Sequence, residues 1–202
     1  MVDVLAGLLH VDHETLLDDY KRVHQHLGDS EVPFATLNLD TVRERFAGRD
    51  NAEILAVLQP AFRTFSRQRD QTLKLYDGVF ATLDEISRKT PIIGHTEALV
   101  ENANYRLHKL GIFSFFTRLY ALSPPIPPRP FPLRYAISES VVVRVPPRER
   151  KPNPRLLAHI CASEGLDLAA TVYVGDSLTR DVAMARDAGV TSAWAEFGTH
   201  FS

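Results

Sequence analysis

The feature that most restricts the fold is a short apolar strand that runs directly into a helix near the C-terminus. Residues 171–174 favour a strand, Gly175-Asp176 ends it, and a helical pattern follows over residues 178–188. A further strand is predicted at 190–195, and a helix at 154–165 precedes the whole segment. Alternation of this kind predicts a parallel sheet with helices on its faces. We therefore predict an α/β fold whose core is a Rossmann-like parallel sheet.

The first 75 residues have a different pattern, which predicts helices. Over residues 12–27 large or apolar side chains recur at helical spacing, with Asp12 as a suitable N-cap. Further helices are predicted at 39–46 and from residue 51 into the sixties, with an interruption at Pro60. We expect two domains, residues 1–75 and residues 76–202.

A proline-rich segment is predicted to be an insert in the second domain, at residues 123–150. Eight prolines lie between residues 123 and 147, which excludes a helix and most of a central strand. We expect an extended surface loop with one strand at 140–145. A docking site for a proline-recognising partner is the less favoured alternative.

Composition excludes several classes of function. The 23 basic and 25 acidic residues give a net charge of −2, which excludes binding to nucleic acid through bulk positive charge. The sequence has neither an apolar run of the roughly 20 residues needed to cross a bilayer nor a basic signal-peptide start, so we expect no membrane partner and a cytoplasmic location. The single cysteine, Cys161, excludes an internal disulfide and is expected in the core, as is Trp194.

Two acidic residues follow the predicted strand at 171–174. Asp176 stands at the carboxyl end of that strand, where ligands gather in parallel sheets, and Asp181 comes one turn into the next helix. Two carboxylates there suit Mg²⁺, which usually also takes a substrate phosphate. The alternative is that Asp176 merely caps the helix and that Asp181 is a solvated helical residue.

Two more segments could contribute to a phosphate site. In Lys151-Pro152-Asn153-Pro154 the lysine precedes a helix that Pro154 can start, and its amine could neutralise phosphate charge. A short strand predicted at 91–94 ends at His95-Thr96 before a helix at 97–110, so the Thr96 hydroxyl could hold a phosphoryl oxygen. Taken alone, Lys151 could be an ordinary surface lysine and Thr96 an ordinary threonine at the end of a strand.

In this order, the three segments resemble the haloacid dehalogenase-like hydrolase superfamily over about residues 76–198. Its most specific part runs from Gly175-Asp176 to Gly189-Val190, and similar segments lie at residues 76–79 and 110–113. The resemblance implies a magnesium-dependent phosphomonoester hydrolase acting on a small phosphorylated substrate through an aspartyl-phosphate. It assigns phosphoryl binding to Thr96, charge stabilisation to Lys151 and the Mg²⁺ site to Asp176 and Asp181. It also identifies residues 1–75 as a small helical cap.

The sequence departs from the family at the nucleophile motif, Asp-x-Asp-x-Thr after four apolar residues. The nearest stretch is residues 8–16. With Asp12 as nucleophile the second acid becomes Glu14, and with Thr15 in register the nucleophile position holds Val11. Two interpretations remain open: Asp12 begins a helix, or it belongs to a degenerate motif.

The family's first strand lies in the middle of the sheet, so its absence has structural consequences. Either the chain lacks its natural N-terminus, or residues 2–11 form a substitute strand, or another chain provides one. Three functions are compatible with these patterns. They are a phosphomonoester hydrolase, a non-catalytic remnant that binds phosphate and Mg²⁺ or regulates, and an unrelated doubly wound binding domain.

Overall fold

The computed structural model describes residues 1–27, 35–123 and 133–196. The helices in these ranges are α1 (Val2–Leu9), α2 (His13–Leu27), α3 (Asp40–Arg45), α4 (Asn51–Thr72), α5 (Val79–Ser87), α6 (Val100–Lys109), α7 (Pro154–Ser163) and α8 (Ala183–Asp187). The strands are β1 (Ile93–Leu99), β2 (Arg118–Leu122), β3 (Val142–Val145), β4 (Val172–Gly175) and β5 (Thr191–Trp194). The predicted α/β fold class is confirmed.

These residues form two compact units. Unit 1 contains described residues 1–93, except 28–34, together with 101–118 and 133–141. Unit 2 contains described residues 94–100, 119–123 and 142–196. Each unit has a hydrophobic cluster of its own.

The core of unit 1 is made by helices α1 to α4 and a short 3₁₀ turn at Ala35–Asn38. Its buried apolar members are Leu5, Ala6, Leu9, Leu16, Leu37, Leu39, Val42, Phe46, Ile54, Leu55, Leu58 and Ala61. Residues 2–11 do not form a substitute strand, so that interpretation is wrong. They contain helix α1 because Leu5, Ala6 and Leu9 recur at helical spacing and bury one face.

Acidic side chains fix the starts of three helices in unit 1. The Asp12 carboxylate accepts bonds from the Thr15 amide (2.7 Å) and hydroxyl (2.9 Å) at the start of α2, which confirms its role as a helix cap. Asp50 and Glu53 form a reciprocal capping box at the start of α4. The fully buried Asp19 accepts the Thr41 amide and hydroxyl at the start of α3.

Helix α4 continues through Pro60, so the predicted interruption there is wrong. A proline inside a helix removes one backbone hydrogen bond. Leu58 and Ala61, on either side of it, are both fully buried in the unit 1 core, and their packing holds the helix together. The Thr64 hydroxyl donates to the Pro60 carbonyl (3.0 Å).

The strands form one sheet in the order β1-β2-β3 and a second sheet of β4 and β5. The β2-β3 pair runs parallel, with Leu119 opposite Val142, and so does the β4-β5 pair, with Val172 opposite Thr191. Between β4 and β5 the chain passes through a helical turn at Leu178–Val182 and α8, which provide the long crossover that a parallel pair requires. Strand β3 confirms the strand predicted at 140–145, whereas prolines 124–132 lie outside the described residues.

Two details of unit 2 differ from the prediction. Strand β1 runs on to Leu99, so Thr96 lies inside the strand rather than at its end, and α6 begins at Val100. Trp194 is 42% exposed and is not a core residue, since it is the last residue of β5 and lies at the surface. Cys161 is buried as predicted, with Leu157 and Met184 in the same apolar cluster.

Strand β4 presents apolar side chains to solvent. Val172 and Val174 are 59% and 65% exposed, whereas Tyr173 between them packs against the unit 2 core. The alternation follows from the two-residue period of a strand. None of the helices in the described ranges combines the length and the apolarity that crossing a membrane requires.

Candidate active site

The carboxyl end of β4 and the helical turn after it place Asp181 against the strand. The turn at Leu178–Val182 is π-helical and begins at Ser177, whose hydroxyl accepts the Arg180 amide (3.3 Å). A Cβ atom added at Gly175 would lie 2.3 Å from the Asp181 Cβ and 2.7 Å from its Oδ2. Glycine is therefore required at 175 because the Asp181 side chain fills the space beside it.

The Asp181 carboxylate is buried and accepts bonds on both oxygens. Its Oδ1 accepts the Lys151 ammonium at 2.8 Å and lies 3.4 Å from the Tyr173 hydroxyl, and its Oδ2 accepts the Ser177 amide at 3.1 Å. Burial acts to raise the pKa of Asp181, but the hydrogen bond and charge of Lys151 outweigh it and hold the pKa below its ordinary value. The carboxylate is therefore ionised at neutral pH.

Lys151 lies at the start of the loop that leads into α7, and its side chain is 13% exposed. The Asn153 side chain caps α7 by accepting the Leu156 amide (3.0 Å), and Pro154 is the first helical residue, as predicted. The Lys151 ammonium donates to the Asp181 carboxylate and to the His95 carbonyl (3.2 Å). Burial acts to lower the pKa of Lys151, but Tyr173 and Asp181 raise it above its ordinary value, so the amine stays charged.

His95 and Tyr173 complete this network, although the sequence analysis assigned neither a role. The Tyr173 hydroxyl lies 3.2 Å from the His95 Nδ1, so β1 and β4 contact each other through these side chains. Burial, reinforced by the charge of Lys151, lowers the pKa of His95 to about 4. The imidazole is therefore neutral at pH 7 and leaves the positive charge on Lys151.

Glu97 is a third residue that the sequence analysis missed. Its Oε1 accepts the Lys151 amide at 2.6 Å, and its Oε2 pairs with the Arg180 guanidinium. His95 and Glu97 are two residues apart in β1, and the alternation of side chains along a strand could have indicated that they share a face.

Of the predicted site residues, Lys151 and Asp181 are in direct contact. Thr96 stands between His95 and Glu97, both of which contact Lys151, but its own hydroxyl accepts the Ala98 amide (3.1 Å). Asp176 is exposed at the carboxyl end of β4. The Asp176 carbonyl accepts the Trp194 indole N–H (3.0 Å).

The donors present fit a Mg²⁺ ion that relies mainly on its substrate and on water. Mg²⁺ is commonly held by one or two carboxylates plus phosphate oxygens and water. The exposed Asp176 carboxylate meets this requirement, whereas both oxygens of Asp181 already accept bonds from Lys151 and Ser177. Across residues 1–27, 35–123 and 133–196, no three histidine, cysteine, aspartate or glutamate side chains are grouped to hold a metal by themselves.

Comparison with known proteins agrees with this architecture. The fold is similar to that of a 2-haloacid dehalogenase from Pseudomonas syringae pv. tomato DC3000, with a TM-score of 0.59 and 19% identity over 98% of this chain and 75% of that one. It is also similar to a magnesium-bound putative HAD-hydrolase from Bacillus subtilis, with a TM-score of 0.53 and 16% identity over 99% of this chain and 81% of that one. No curated protein sequence matches the chain significantly.

The sequence itself matches the haloacid dehalogenase-like hydrolase family over residues 5–189. This match spans most of the chain and includes the segments with Thr96, Lys151, Asp176 and Asp181. The predicted resemblance is confirmed, and the interpretation as an unrelated doubly wound binding domain is wrong. The chain belongs to the haloacid dehalogenase-like hydrolase family.

Proposed function

We propose that this protein is a Mg²⁺-dependent hydrolase of small phosphomonoesters that works through an aspartyl-phosphate. The observation that carries the proposal is the largely buried Lys151 ammonium, held by the Asp181 carboxylate at 2.8 Å and the His95 carbonyl at 3.2 Å. A charged amine fixed in a poorly solvated position stabilises the charge of a phosphoryl group in transfer more strongly than a solvated one. Its raised pKa keeps it protonated through the physiological range.

The other residues have distinct proposed roles. Asp176, whose carboxylate is exposed, holds the metal together with the substrate phosphate and water. Asp181 is assigned to the metal site by the family resemblance, and its contacts favour a supporting role in which it orients Lys151 and the Ser177 amide. The family resemblance assigns phosphoryl binding to Thr96, whose hydroxyl accepts the Ala98 amide and whose side chain lies on the face of β1 opposite His95 and Glu97. The bound Mg²⁺ would supply charge neutralisation for the phosphate.

The contacts of Asp12 count against it as the nucleophile. Both of its carboxylate oxygens accept hydrogen bonds from Thr15. The hydrogen bond from the Thr15 backbone N–H is the main reason that the pKa of Asp12 is lowered. We propose instead that the attacking aspartate comes from a segment outside the residues described above. Strand β1 ends one sheet, β4 pairs with β5 in the other, and a strand lodged between β1 and β4 would join the two sheets.

The same observation supports one alternative, a non-catalytic protein that keeps the phosphate and Mg²⁺ site for binding or regulation. Measurements of hydrolysis and of ligand binding together distinguish the two proposals, because only the hydrolase should turn over a substrate. The first measurement is Mg²⁺-dependent hydrolysis of p-nitrophenyl phosphate by the chain and by a form extended upstream. The second is the shift in melting temperature that Mg²⁺ and phosphate produce together.

The variants for both measurements are Lys151→Met, Asp176→Asn and Asp12→Asn, with Asp187→Asn as a charge-matched control on α8. A hydrolase should lose roughly a hundredfold or more in rate with Lys151→Met or Asp176→Asn, because each removes charge stabilisation from the transition state. Asp12→Asn and Asp187→Asn should leave the rate unchanged. A thermal shift without turnover in either form would favour the binding protein. No turnover together with no thermal shift would refute both proposals.

A further inference from the structure

Glu97 places a carboxylate inside the cluster of groups proposed to bind phosphate. Its Oε1 accepts the Lys151 amide at 2.6 Å, and its Oε2 pairs with Arg180. The Glu97 side chain is 14% exposed, whereas that of Arg180 is 50% exposed. One partner of this ion pair is therefore nearly buried in the site, and the other stands at its rim.

One donor that holds Glu97 belongs to a residue of the proposed phosphate site, and the other belongs to the neighbour of such a residue. One is the main-chain amide of Lys151, and the other is the side chain of Arg180, the neighbour of Asp181. An amide N–H beside a guanidinium is a donor set suited to two oxygens of a phosphate. A carboxylate presents two oxygens to the same donors, so Glu97 can act as a substitute for a bound anion.

Before a metal binds, the side-chain charges in this part of unit 2 oppose an incoming anion while Glu97 is present. Lys151 and Arg180 are positive, His95 is neutral, and three carboxylates surround them, namely Glu97, Asp176 and Asp181. Removing Glu97 from the count leaves two positive and two negative charges. Moving its carboxylate away from Arg180 frees a donor and increases the distance between this negative charge and the anion, which reduces repulsion. The Arg180 side chain is half-exposed, so water can solvate its guanidinium when the pair opens.

We propose that Arg180 is a phosphate-binding residue and that Glu97 is its internal counter-ion until a phosphate displaces it. The proposal rests on the phosphate site of the proposed function. It adds a residue of the turn after β4 to that site and gives the glutamate after Thr96 a role. Arg180 would bind an oxygen of the substrate phosphate from the solvent side, opposite the buried Lys151 amine.

The test is a calorimetric titration of the full chain with inorganic phosphate in the presence of Mg²⁺. The variants are Glu97→Gln, Arg180→Gln and Arg180→Lys, with Lys151→Met as the control for the site and Asp187→Asn as the control for charge. Glutamine at 97 keeps a carbonyl to accept the Lys151 amide and removes only the charge. Asp187 suits the control because its pair with Arg186 is exposed.

We expect Glu97→Gln to tighten phosphate binding about tenfold and Arg180→Gln to weaken it about tenfold, because each changes one charge next to the anion. Arg180→Lys should recover part of the loss, and Asp187→Asn should match the wild type. Binding that appears only in Glu97→Gln would also support the proposal, since it identifies Glu97 as the obstacle.

Two results would overturn the proposal. The first leaves the proposed phosphate site intact, and the second refutes that site as well. If the wild type binds phosphate, Lys151→Met abolishes binding, and the variants at 97 and 180 behave like Asp187→Asn, the role of Arg180 is refuted while the phosphate site stands. If neither the wild type nor Glu97→Gln binds phosphate, the phosphate site and the role of Arg180 fail together. If Glu97→Gln does not fold, as judged by circular dichroism, the two Arg180 variants decide the question by themselves.

Discussion

Replacing Gly175 by alanine tests the packing at the centre of the site. The added methyl carbon would lie 2.3 Å from the Asp181 Cβ, 2.5 Å from its Cγ and 2.7 Å from its Oδ2, all well inside van der Waals contact. Because these atoms belong to the base of the side chain, rotation of the carboxylate cannot relieve the clash. Asp181 must move with its backbone, away from the Lys151 ammonium and the Ser177 amide.

The cost follows from the contacts that this movement breaks. Overpacking of a filled site typically costs 1–3 kcal/mol, and each hydrogen bond to a charged group contributes about 1.5–3 kcal/mol. With partial relaxation we expect Gly175→Ala to lower the free energy of unfolding by about 3 kcal/mol. Gly7→Ala is the matched control, because a Cβ at Gly7 meets nothing within 4 Å and alanine in α1 should stabilise by about 0.5–1 kcal/mol.

Urea unfolding followed by Trp194 fluorescence is the appropriate assay. Trp194 is the one tryptophan of the chain, and its indole N–H donates to the Asp176 carbonyl, so its emission reports on the loop that contains Asp176. Helix content measured by circular dichroism follows Gly7→Ala in unit 1. In an Asp181→Gly background, where the clashing atoms are absent, Gly175→Ala should cost much less. A Gly175→Ala protein within 0.5 kcal/mol of the wild type, or an equal cost in both backgrounds, would refute the packing argument.

Two further predictions concern pH and helix capping. The pKa of His95 is about 4 in the folded chain and 6.5 in the unfolded chain. Between pH 6.5 and pH 4 the unfolded chain therefore binds a proton that the folded chain does not. The free energy of unfolding should fall by about 3 kcal/mol as the pH drops from 6.5 to 4. A His95→Gln variant should lose that slope, and the prediction fails if urea midpoints of both proteins change equally over this window. Asp50→Ala should cost about 1 kcal/mol through loss of the α4 cap, whereas Asp50→Ser, which can still accept the Glu53 amide, should cost far less in the same assay.

Much of the fold could be predicted from the sequence because the spacing of apolar residues and the residues that begin or end helices determine it. Asp12 begins α2, Pro154 begins α7, and strands β4 and β5 alternate with helices as their patterns indicate. The errors arose where burial overrode a local signal. Pro60 is tolerated inside α4 because its neighbours are locked in the core, and β1 extends past Thr96 although helix-favouring residues follow.

The candidate site was predictable only in part. Lys151, Asp176 and Asp181 could be selected because strand ends and family motifs single them out, and the contact of Lys151 with Asp181 agrees with that choice. Tyr173, His95 and Glu97 could not, because their importance depends on which side chains of β1 and β4 lie opposite each other. That juxtaposition depends on tertiary structure, which no local pattern in a single sequence encodes.

The exposed valines of β4 have a practical consequence for handling the protein. Val172 and Val174 present a β-branched, uncharged stripe on a two-stranded sheet. Such a surface favours pairing with a neighbouring copy, and natural proteins usually protect it with charge or a covering helix. We therefore expect the isolated chain to become turbid as it is concentrated, and a lysine at position 174 to extend the range over which it stays clear.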